Sequence, residues 1–361
     1  MPKMLVFGVH DQLGGVETYC KNMVMNVADW DFDFVSTFPT MCFEDFFMNR
    51  GSRIFKVSDF HKHPFAYYND VDNLFRENAY DAIYYNMLSS ANVVPLSIAK
   101  KHRIKHIIAH AHNAGTPDSA IKGTLNRFQR KRTTRLATDL FSCSDKASDW
   151  MFGTRNDVTV IPNSVDTDVF NFDPQKRKAE RNRLQIEDNT LVVGTVGRFT
   201  KQKNQSFLID IFKAFHSSVP NSLLILVGGG ELKMDLESKV RSLHLEDSVL
   251  FENPRSDIYN AYNSFDIFAL TSLFEGLPIA LIEAQACGLP FLSADTISTE
   301  AKITNAGTYL PLTVSAEVWA KELLRATESS DRESVSHQVA QSKWSLSYQA
   351  DFLNMLFGQM R

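Results

Sequence analysis

Short apolar runs recur along this chain in two series, with helix-like stretches between them and one strongly polar interval separating the series. MLVFGV (4–9), DFDFVST (31–37), SRIFKVS (52–58), DAIYYNM (81–87), KHIIAHAH (105–112) and DVTVIPNS (157–164) make up the first series. LVVGTVG (191–197), LLILVGG (223–229), SVLFEN (248–253), DIFALTS (266–272) and LPFLSAD (289–295) make up the second. Strands joined through helices, such as those read around 16–28 and 92–102, need crossover connections, and these build parallel sheets with helices packed on their faces. A chain of 361 residues exceeds what one core organises. The polar interval NFDPQKRKAERNRLQIEDNT (171–190) therefore reads as the entry to a second domain. The fold class expected is α/β, with two Rossmann-like domains over 1–170 and 171–343 and a terminal segment at 344–361.

No run approaches the ~20 apolar residues that a membrane-spanning helix needs. The N-terminus MPKMLVFGVH enters a strand-like run at once, without the pattern of a signal peptide. A cytoplasmic chain is the expectation. Cys20, Cys42, Cys143 and Cys287 form no C-x-x-C pair and read as reduced structural thiols.

The net charge of -4 hides one basic segment: residues 100–135 carry 10 Lys and Arg against one Asp. Within it Lys122, Arg127, Arg130, Lys131, Arg132 and Arg135 interleave with Leu125, Phe128 and Leu136 at helical spacing. Residues 122–135 thus read as a basic amphipathic helix, facing either anionic lipid headgroups or plain solvent. No nucleic-acid motif accompanies it, so no nucleic-acid partner is expected.

In open α/β sheets ligands sit beyond the carboxyl ends of strands, and the candidate residues cluster there. Gly14 and Gly15 follow the first strand, where bare backbone lets a phosphate approach ahead of a helix, or where a tight turn alone needs them. Arg198 and Lys203 follow the strand 191–197, and two cations there suit a diphosphate and the charge that builds on a leaving group. Glu275 and Glu283 stand eight positions apart across a turn and a helix start near Pro278. The positive end of that helix points toward Gly276 and Leu277, and Glu283 lies ~7 Å further along. One carboxylate suits a sugar, the other a ribose, with phosphates between. An isolated pair of this kind also fits a loop glutamate and a surface-helix glutamate.

His110 and His112 face the same way on one strand. His112, at the tip, is the site candidate, and His110 packs deeper. No third ligand suggests a metal. The triplets Asp31 to Asp33 and Asp166 to Asp168 lie at a strand entry and in a loop, and neither reads as a metal site.

These segments resemble the retaining family 4 glycosyltransferases of GT-B fold, in particular bacterial exopolysaccharide and capsule enzymes. GGVETY (14–19), AHAHN (109–113), IPNSVDTDVF (161–170), VGRFTKQKN (196–204), PRSDI (254–258) and EGLPIALIEAQACGLP (275–290) follow the family's order over nearly the whole chain. The resemblance implies two Rossmann-like domains facing across a cleft. It implies that Arg198 and Lys203 hold the donor diphosphate, Glu283 the ribose, and Glu275 with the amides of Gly276 and Leu277 the transferred sugar. Gly14 and Gly15 belong to the loop approaching the diphosphate, His112 contacts the donor sugar, and the segment around Arg255 lines the nucleobase pocket. Asn253 and Ser164 stand where the family commonly has glycine. The stretch SKWSLSYQADFLNMLFGQM resembles the family's terminal helix, which crosses back onto the N-terminal domain with Trp344 near the crossover.

What the resemblance implies is a retaining hexosyltransferase taking a nucleoside diphosphate sugar, a UDP-sugar foremost, and a growing lipid-linked glycan as acceptor. No cofactor and no metal would be required, and the enzyme would be peripheral at an anionic membrane. A non-catalytic sugar-nucleotide-binding subunit and a UDP-sugar epimerase of the same fold are the alternatives.

Overall fold

A computed structural model describes the chain except residues 13, 114–128, 276, 328–330 and 361. The chain divides into two units, Met1–Ser164 with Leu346–Arg361, and Val165–Ser345. Each is built on one parallel sheet.

The first sheet contains β1 (Lys3–Phe7), β2 (Asp31–Ser36), β3 (Ile54–Lys56), β4 (Ala82–Met87), β5 (His106–Ala111), β6 (Asp139–Ser142) and β7 (Val158–Val160), in the order β3-β2-β1-β4-β5-β6-β7. The second contains β8 (Leu191–Val196), β9 (Ser222–Val227), β10 (Val249–Glu252), β11 (Ile267–Leu270), β12 (Phe291–Ala294) and β13 (Gly307–Leu310), in the order β10-β9-β8-β11-β12-β13. In both, strand order reverses beside the first strand, between β1 and β4 and between β8 and β11. Such a reversal sends the helices on either side to opposite faces and opens a crevice at the strand ends, where ligands of doubly wound folds bind.

Two strands, β6 and β13, lie outside the apolar series read from sequence. Each has only four residues, and β13 pairs along one edge with β12 alone. The polar interval is not merely a linker. Residues Pro174–Arg183 form a helix capped by Asp173, whose carboxylate accepts from the N–H groups of Gln175 and Lys176.

Burial follows the apolar periodicity. Helix Gln205–Ser218 turns Leu208, Ile211, Phe212 and Phe215 inward at three- and four-residue spacing. Each such side chain contributes ~1.5–3 kcal/mol by leaving water. In the first unit, helix Leu346–Gly358 places Leu353 and Phe357 in the same core as Met4, Val6 and Phe34. Trp30 Nε1 donates to the Phe357 carbonyl at 3.3 Å. Ser164, where the resembled family commonly has glycine, donates its hydroxyl to Gln349 Oε1 at 2.9 Å, while Gln349 Nε2 donates to the Pro162 carbonyl. The hydroxyl thus ties the terminal helix to the end of the first unit's main segment.

Among the described residues no helix is long and apolar enough to cross a membrane.

Candidate active site

Each unit has a pocket at its own strand-order reversal. In the second unit a pocket of ≈ 340 Å³ is lined by Gly197, Arg198, Lys203, Glu275, Leu277 and the helix start at Pro278 to Ala280, among others. Arg198 and Lys203 come from the loop after β8, and Glu275 and Leu277 from the loop after β11.

The two loops are laced together. Leu273 N–H donates to the Gln202 carbonyl at 2.8 Å, and Gln202 Nε2 donates to the Phe274 carbonyl at 2.9 Å. Asn204 and Thr271 exchange further bonds through Asn204 Nδ2 and Thr271 Oγ1. Glycine sets the path of the first loop. Gly228, after β9, has φ +156°, and a Cβ there would stand 2.0 Å from the Gly197 carbonyl oxygen. The backbone after β9 can therefore press against the start of the Arg198 loop only because residue 228 lacks a side chain.

Lys203 Nζ and Glu275 Oε1 form an ion pair at 2.5 Å, and the Ser272 hydroxyl donates to the same oxygen at 2.7 Å. Arg198 is exposed, and its guanidinium makes no hydrogen bond or ion pair among the described residues. Helix Ile279–Ala286 starts at the pocket with Pro278 as its N-cap, and its first return bond is Leu281 N–H to the Pro278 carbonyl. The amides of Ile279 and Ala280 precede that bond, so the pocket wall carries helix N-terminal donors beside a guanidinium and an ammonium. Such a wall suits an anion.

Glu283 lies one turn further along and is not part of this lining. Tyr262, fully buried, donates its hydroxyl to Glu283 Oε2 at 2.7 Å. Burial raises the Glu283 pKa above the ordinary carboxylate value, and the Tyr262 bond opposes that shift.

Arg255 is not brought into this pocket. Its guanidinium bonds Glu180 at 2.5 Å and Asp257 at 2.6 Å, and Glu180 is shared with Arg183 at 2.8 Å. The expected nucleobase contact thus falls on a side chain that joins helix Pro174–Arg183 to the segment before helix Ile258–Ser264. Asn253 is engaged too, accepting from Lys233 Nζ at 3.3 Å. Gly276 lies outside the described residues.

The first unit's pocket, ≈ 350 Å³, is lined by His10, Asp11, Gly14, Gly15, Glu17 and His112, among others. Helix Gly15–Asn26 begins there behind Gly14. The Glu17 carboxylate folds back and accepts the His10 N–H at 3.0 Å, and a Cβ on Gly14 would meet its other oxygen at 2.9 Å. At Gly15 a Cβ would meet only Asn163 Nδ2, at 3.7 Å, so packing within the unit does not demand glycine there.

His112 follows β5, with Nε2 2.9 Å from Asn86 Oδ1. Burial lowers its pKa to about 3. His110 is fully buried, as its deeper position implied, and its Nδ1 meets the Tyr84 hydroxyl at 2.7 Å. Among the described residues no group of three or more His, Cys, Asp or Glu is placed to hold a metal ion. Asp33 is instead taken up by Arg53 and Tyr80.

Part of the basic helix, including Lys122, Leu125, Arg127 and Phe128, lies outside the described residues. Residues 129–136 are helical, with Lys131, Arg132 and Arg135 exposed. Arg130 is committed to the protein, donating to the Trp150 carbonyl at 2.7 Å.

Spacing alone did not single out Gln202, Ser272, Tyr262 or Asn86. Gln202, Tyr262 and Asn86 act through partners distant in sequence, and Ser272 through Glu275 three residues on, a contact that depends on the fold of the loop after β11.

Residues 13–169 match the family described as Glycosyltransferase Family 4, and residues 176–342 match Glycosyl transferases group 1. The chain is 29% identical over 345 residues to "Putative glycosyltransferase EpsF" of Bacillus subtilis, covering 91% of this chain and 89% of that protein. Shorter matches join it to "Amylovoran biosynthesis glycosyltransferase AmsD" of Erwinia amylovora, 36% identical over 41% of each chain. Another joins it to the "UDP-Gal:alpha-D-GlcNAc-diphosphoundecaprenol alpha-1,3-galactosyltransferase" of Escherichia coli, 32% identical over 41% of this chain and 39% of that protein. Among solved structures, Anabaena Alr3699/HepE in complex with UDP-glucose superposes with a TM-score of 0.82 over 99% of both chains, at 20% identity. The lipopolysaccharide glycosyltransferase WaaG does so with a TM-score of 0.69 over 97% of this chain and 99% of that one, at 17% identity. Those structural likenesses carry the fold, and the two family matches run through both Rossmann-like units. The chain belongs to the family 4 glycosyltransferases of GT-B fold.

Proposed function

We propose that this glycosyltransferase moves a hexose from a UDP-sugar to a growing lipid-linked glycan with retention of anomeric configuration. The observation that carries the reading is the second unit's pocket. Arg198, Lys203 and the amides at the start of helix Ile279–Ala286 stand there against Glu275, with Glu283 one turn below. The cationic wall suits a diphosphate, and the carboxylates suit hydroxyls on either side of it. The neighbouring structure that binds UDP-glucose and the relative that uses UDP-Gal on a diphosphoundecaprenol-linked sugar support the donor and acceptor classes.

In the reaction the bond from the anomeric carbon to the diphosphate oxygen breaks, and a bond to the acceptor hydroxyl oxygen forms. The acceptor's proton passes to the departing phosphate. Arg198, Lys203 and the helix amides stabilise the charge that develops on that phosphate, with no divalent cation required. Glu275 is held by Lys203 and Ser272 and positions the sugar rather than attacking it. Retention then follows from front-face attack on the same side as the leaving group. Gly14, Gly15 and His112 in the first unit's pocket serve the sugar and the phosphate approach, and the enzyme works at an anionic membrane surface.

The test is a panel of nucleotide sugars screened by thermal shift, followed by transfer to a diphosphoundecaprenol-linked sugar with the product anomer read by NMR. A UDP-hexose at a hundredfold its dissociation constant should add about 2.7 kcal/mol of stability. Transfer should persist in chelator. An inverted product, a preference for a non-uridine donor, or activity abolished by chelator and restored by manganese would each overturn the corresponding part.

A further inference from the structure

Asn86 sits at the carboxyl end of β4, beside the strand-order reversal, and is 2% exposed. Its surroundings fix which way its amide points. Asn86 Nδ2 lies 2.9 Å from the Phe7 carbonyl oxygen, and a carbonyl can only accept, so the amide nitrogen belongs on that side. The Cys20 sulfur, 3.3 Å from the same nitrogen, is a second acceptor. Oδ1 must then face His112 Nε2, at 2.9 Å. The strand end is held in place: Gly8, at φ +83°, lets the backbone after β1 approach the Asn86 carbonyl so closely that a Cβ would stand 2.1 Å from its oxygen.

We propose that Asn86 is a positioning residue that fixes His112 as the neutral Nε2–H tautomer, leaving Nδ1 as a hydrogen-bond acceptor for a hydroxyl of the substrate. An amide oxygen accepts and never donates, so His112 must donate from Nε2. A neutral imidazole protonated at Nε2 carries its lone pair on Nδ1. That atom is buried and has no hydrogen-bond partner among the described residues. A sugar hydroxyl is the matching chemistry, because it donates to a lone pair where a phosphate oxygen would be repelled. His112 in this state is neither a general acid nor a cation for a diphosphate.

The groups around His112 work toward the same state. His110, on β5, lies 3.8 Å away ring to ring, and Tyr19 lies 5.4 Å away, from helix Gly15–Asn26. Cys20 on that helix and Tyr84 on β4 complete the buried titratable set, through Asn86 and His110 respectively. Burial keeps Tyr19, Tyr84 and Cys20 protonated, so none supplies a negative charge that would draw a proton onto the ring. His10, Asp11 and Glu17 are the titratable groups on the pocket side.

The inference rests on the reading of His112 as a sugar contact, and the two fail separately. In the intact, histidine-labelled chain, 15N NMR should show His112 protonated at Nε2 and bare at Nδ1 from pH 8 to pH 5. An Nδ1–H tautomer, or a ring that titrates near its ordinary value, overturns the assignment whatever the activity. Asn86→Asp places a carboxylate opposite Nε2 and raises the ring's pKa. Transfer by that variant should fall at least tenfold from pH 8 to pH 6 relative to the native chain, because the second proton occupies Nδ1. A profile parallel to the native one, with the ring shown by NMR to titrate, overturns the acceptor role. If Asn86→Asp does not fold, the native spectrum still decides. Full transfer by His112→Phe would sink the sugar-contact reading itself.

Discussion

Lys203 and Glu275 come from different loops, 72 positions apart in sequence, and meet in an ion pair of 2.5 Å in the lining of the second unit's pocket. The Glu275 side chain is 9% exposed and the Lys203 side chain 21%, so the pair is partly screened rather than fully solvated. Its two members are the residues assigned to opposite parts of the donor, phosphate and sugar. On the proposed function, a diphosphate entering the pocket would compete with Glu275 for Lys203, and Glu275 would be released toward the sugar as Lys203 turned to the phosphate.

Glu275→Gln should therefore tighten UDP binding by about threefold or more while lowering transfer at least tenfold, a barrier rise of ~1.4 kcal/mol. The same substitution should not tighten UDP-sugar binding, since the sugar loses its partner. Titration calorimetry with UDP and with a UDP-sugar separates the two effects. Unchanged or weaker UDP binding would show that the pair does not compete with the phosphate. Lys203→Ala should reduce turnover at least tenfold, ~1.4 kcal/mol. It also leaves a mostly covered carboxylate with Ser272 and Gln202 alone, at a stability cost of about 1–3 kcal/mol.

Glu283 supplies a second prediction with the opposite sign on stability. Burial raises its pKa, so the folded state holds this proton more tightly than the unfolded chain. Stability from this group is then lost as pH rises from the ordinary carboxylate range through the folded pKa. Glu283→Gln keeps an acceptor for the Tyr262 hydroxyl and removes the buried charge. The ligand-free variant should melt higher than the native chain at pH 8 and approach it toward pH 4. Its transfer should still drop about tenfold or more, because a neutral amide is a poorer partner for ribose hydroxyls. A lower melting temperature at pH 8 would contradict the buried-charge account.

Both carboxylates were legible as site candidates from the sequence, because they flank a turn and a helix start just after an apolar run and because their segment resembles the family's. Their difference was not. That Glu275 is paired and Glu283 is bonded by Tyr262 depends on loops and helices that meet only in the folded unit. The longer strands were legible as apolar runs. Strands β6 (DLFS) and β13 (GTYL) were not, since each sets only two large apolar residues beside polar or small ones, whereas the even shorter β3 and β7 sit in longer apolar runs. The polar interval 171–190 read as a boundary because its residues are charged, yet its Glu180 and Arg181 are buried through ion pairs and carbonyl contacts. Charge count cannot distinguish a solvated linker from a helix in which several charges are partnered and two are buried.

Arg255 tests that distinction. Its guanidinium holds Glu180 and Asp257, and the Glu180 side chain is 5% exposed. Arg255→Ala leaves Glu180 to Arg183 and should lower stability by about 1–3 kcal/mol, with the donor KM changed less than about threefold. Thermal melts and initial rates at varied donor concentration check it. A donor KM raised tenfold at unchanged stability would return Arg255 to the base pocket.

Membrane attachment is best tested on the exposed cations. Lys131, Arg132 and Arg135 are open, while Arg130 is spent on the Trp150 carbonyl. Charge reversal at Lys131, Arg132 and Arg135 should abolish sedimentation with phosphatidylglycerol vesicles, each basic residue contributing ~1 kcal/mol near an anionic surface. Phosphatidylcholine vesicles should bind neither protein. Equal binding of native and reversed chains to the anionic vesicles would leave this helix a solvated face.

Acid sensitivity of the first unit follows from His110, which is buried, and His112, which is half-buried. His112 is held near a pKa of about 3 in the folded chain against 6.5 when exposed, and burial is the cause. His110 is shifted in the same direction for the same reason, with His112 adding to it. A base with a depressed folded pKa binds its proton more readily when unfolded. Its contribution is therefore complete above about pH 6.5 and is lost as pH falls toward the folded value. For His112 alone the loss at pH 5 is on the order of 2 kcal/mol. The melting temperature should drop steeply between pH 7 and pH 5, and His112→Phe should flatten that slope while His61→Phe, at an exposed site, should not. A native melting curve independent of pH over this range would show that the imidazoles are solvated in the folded chain.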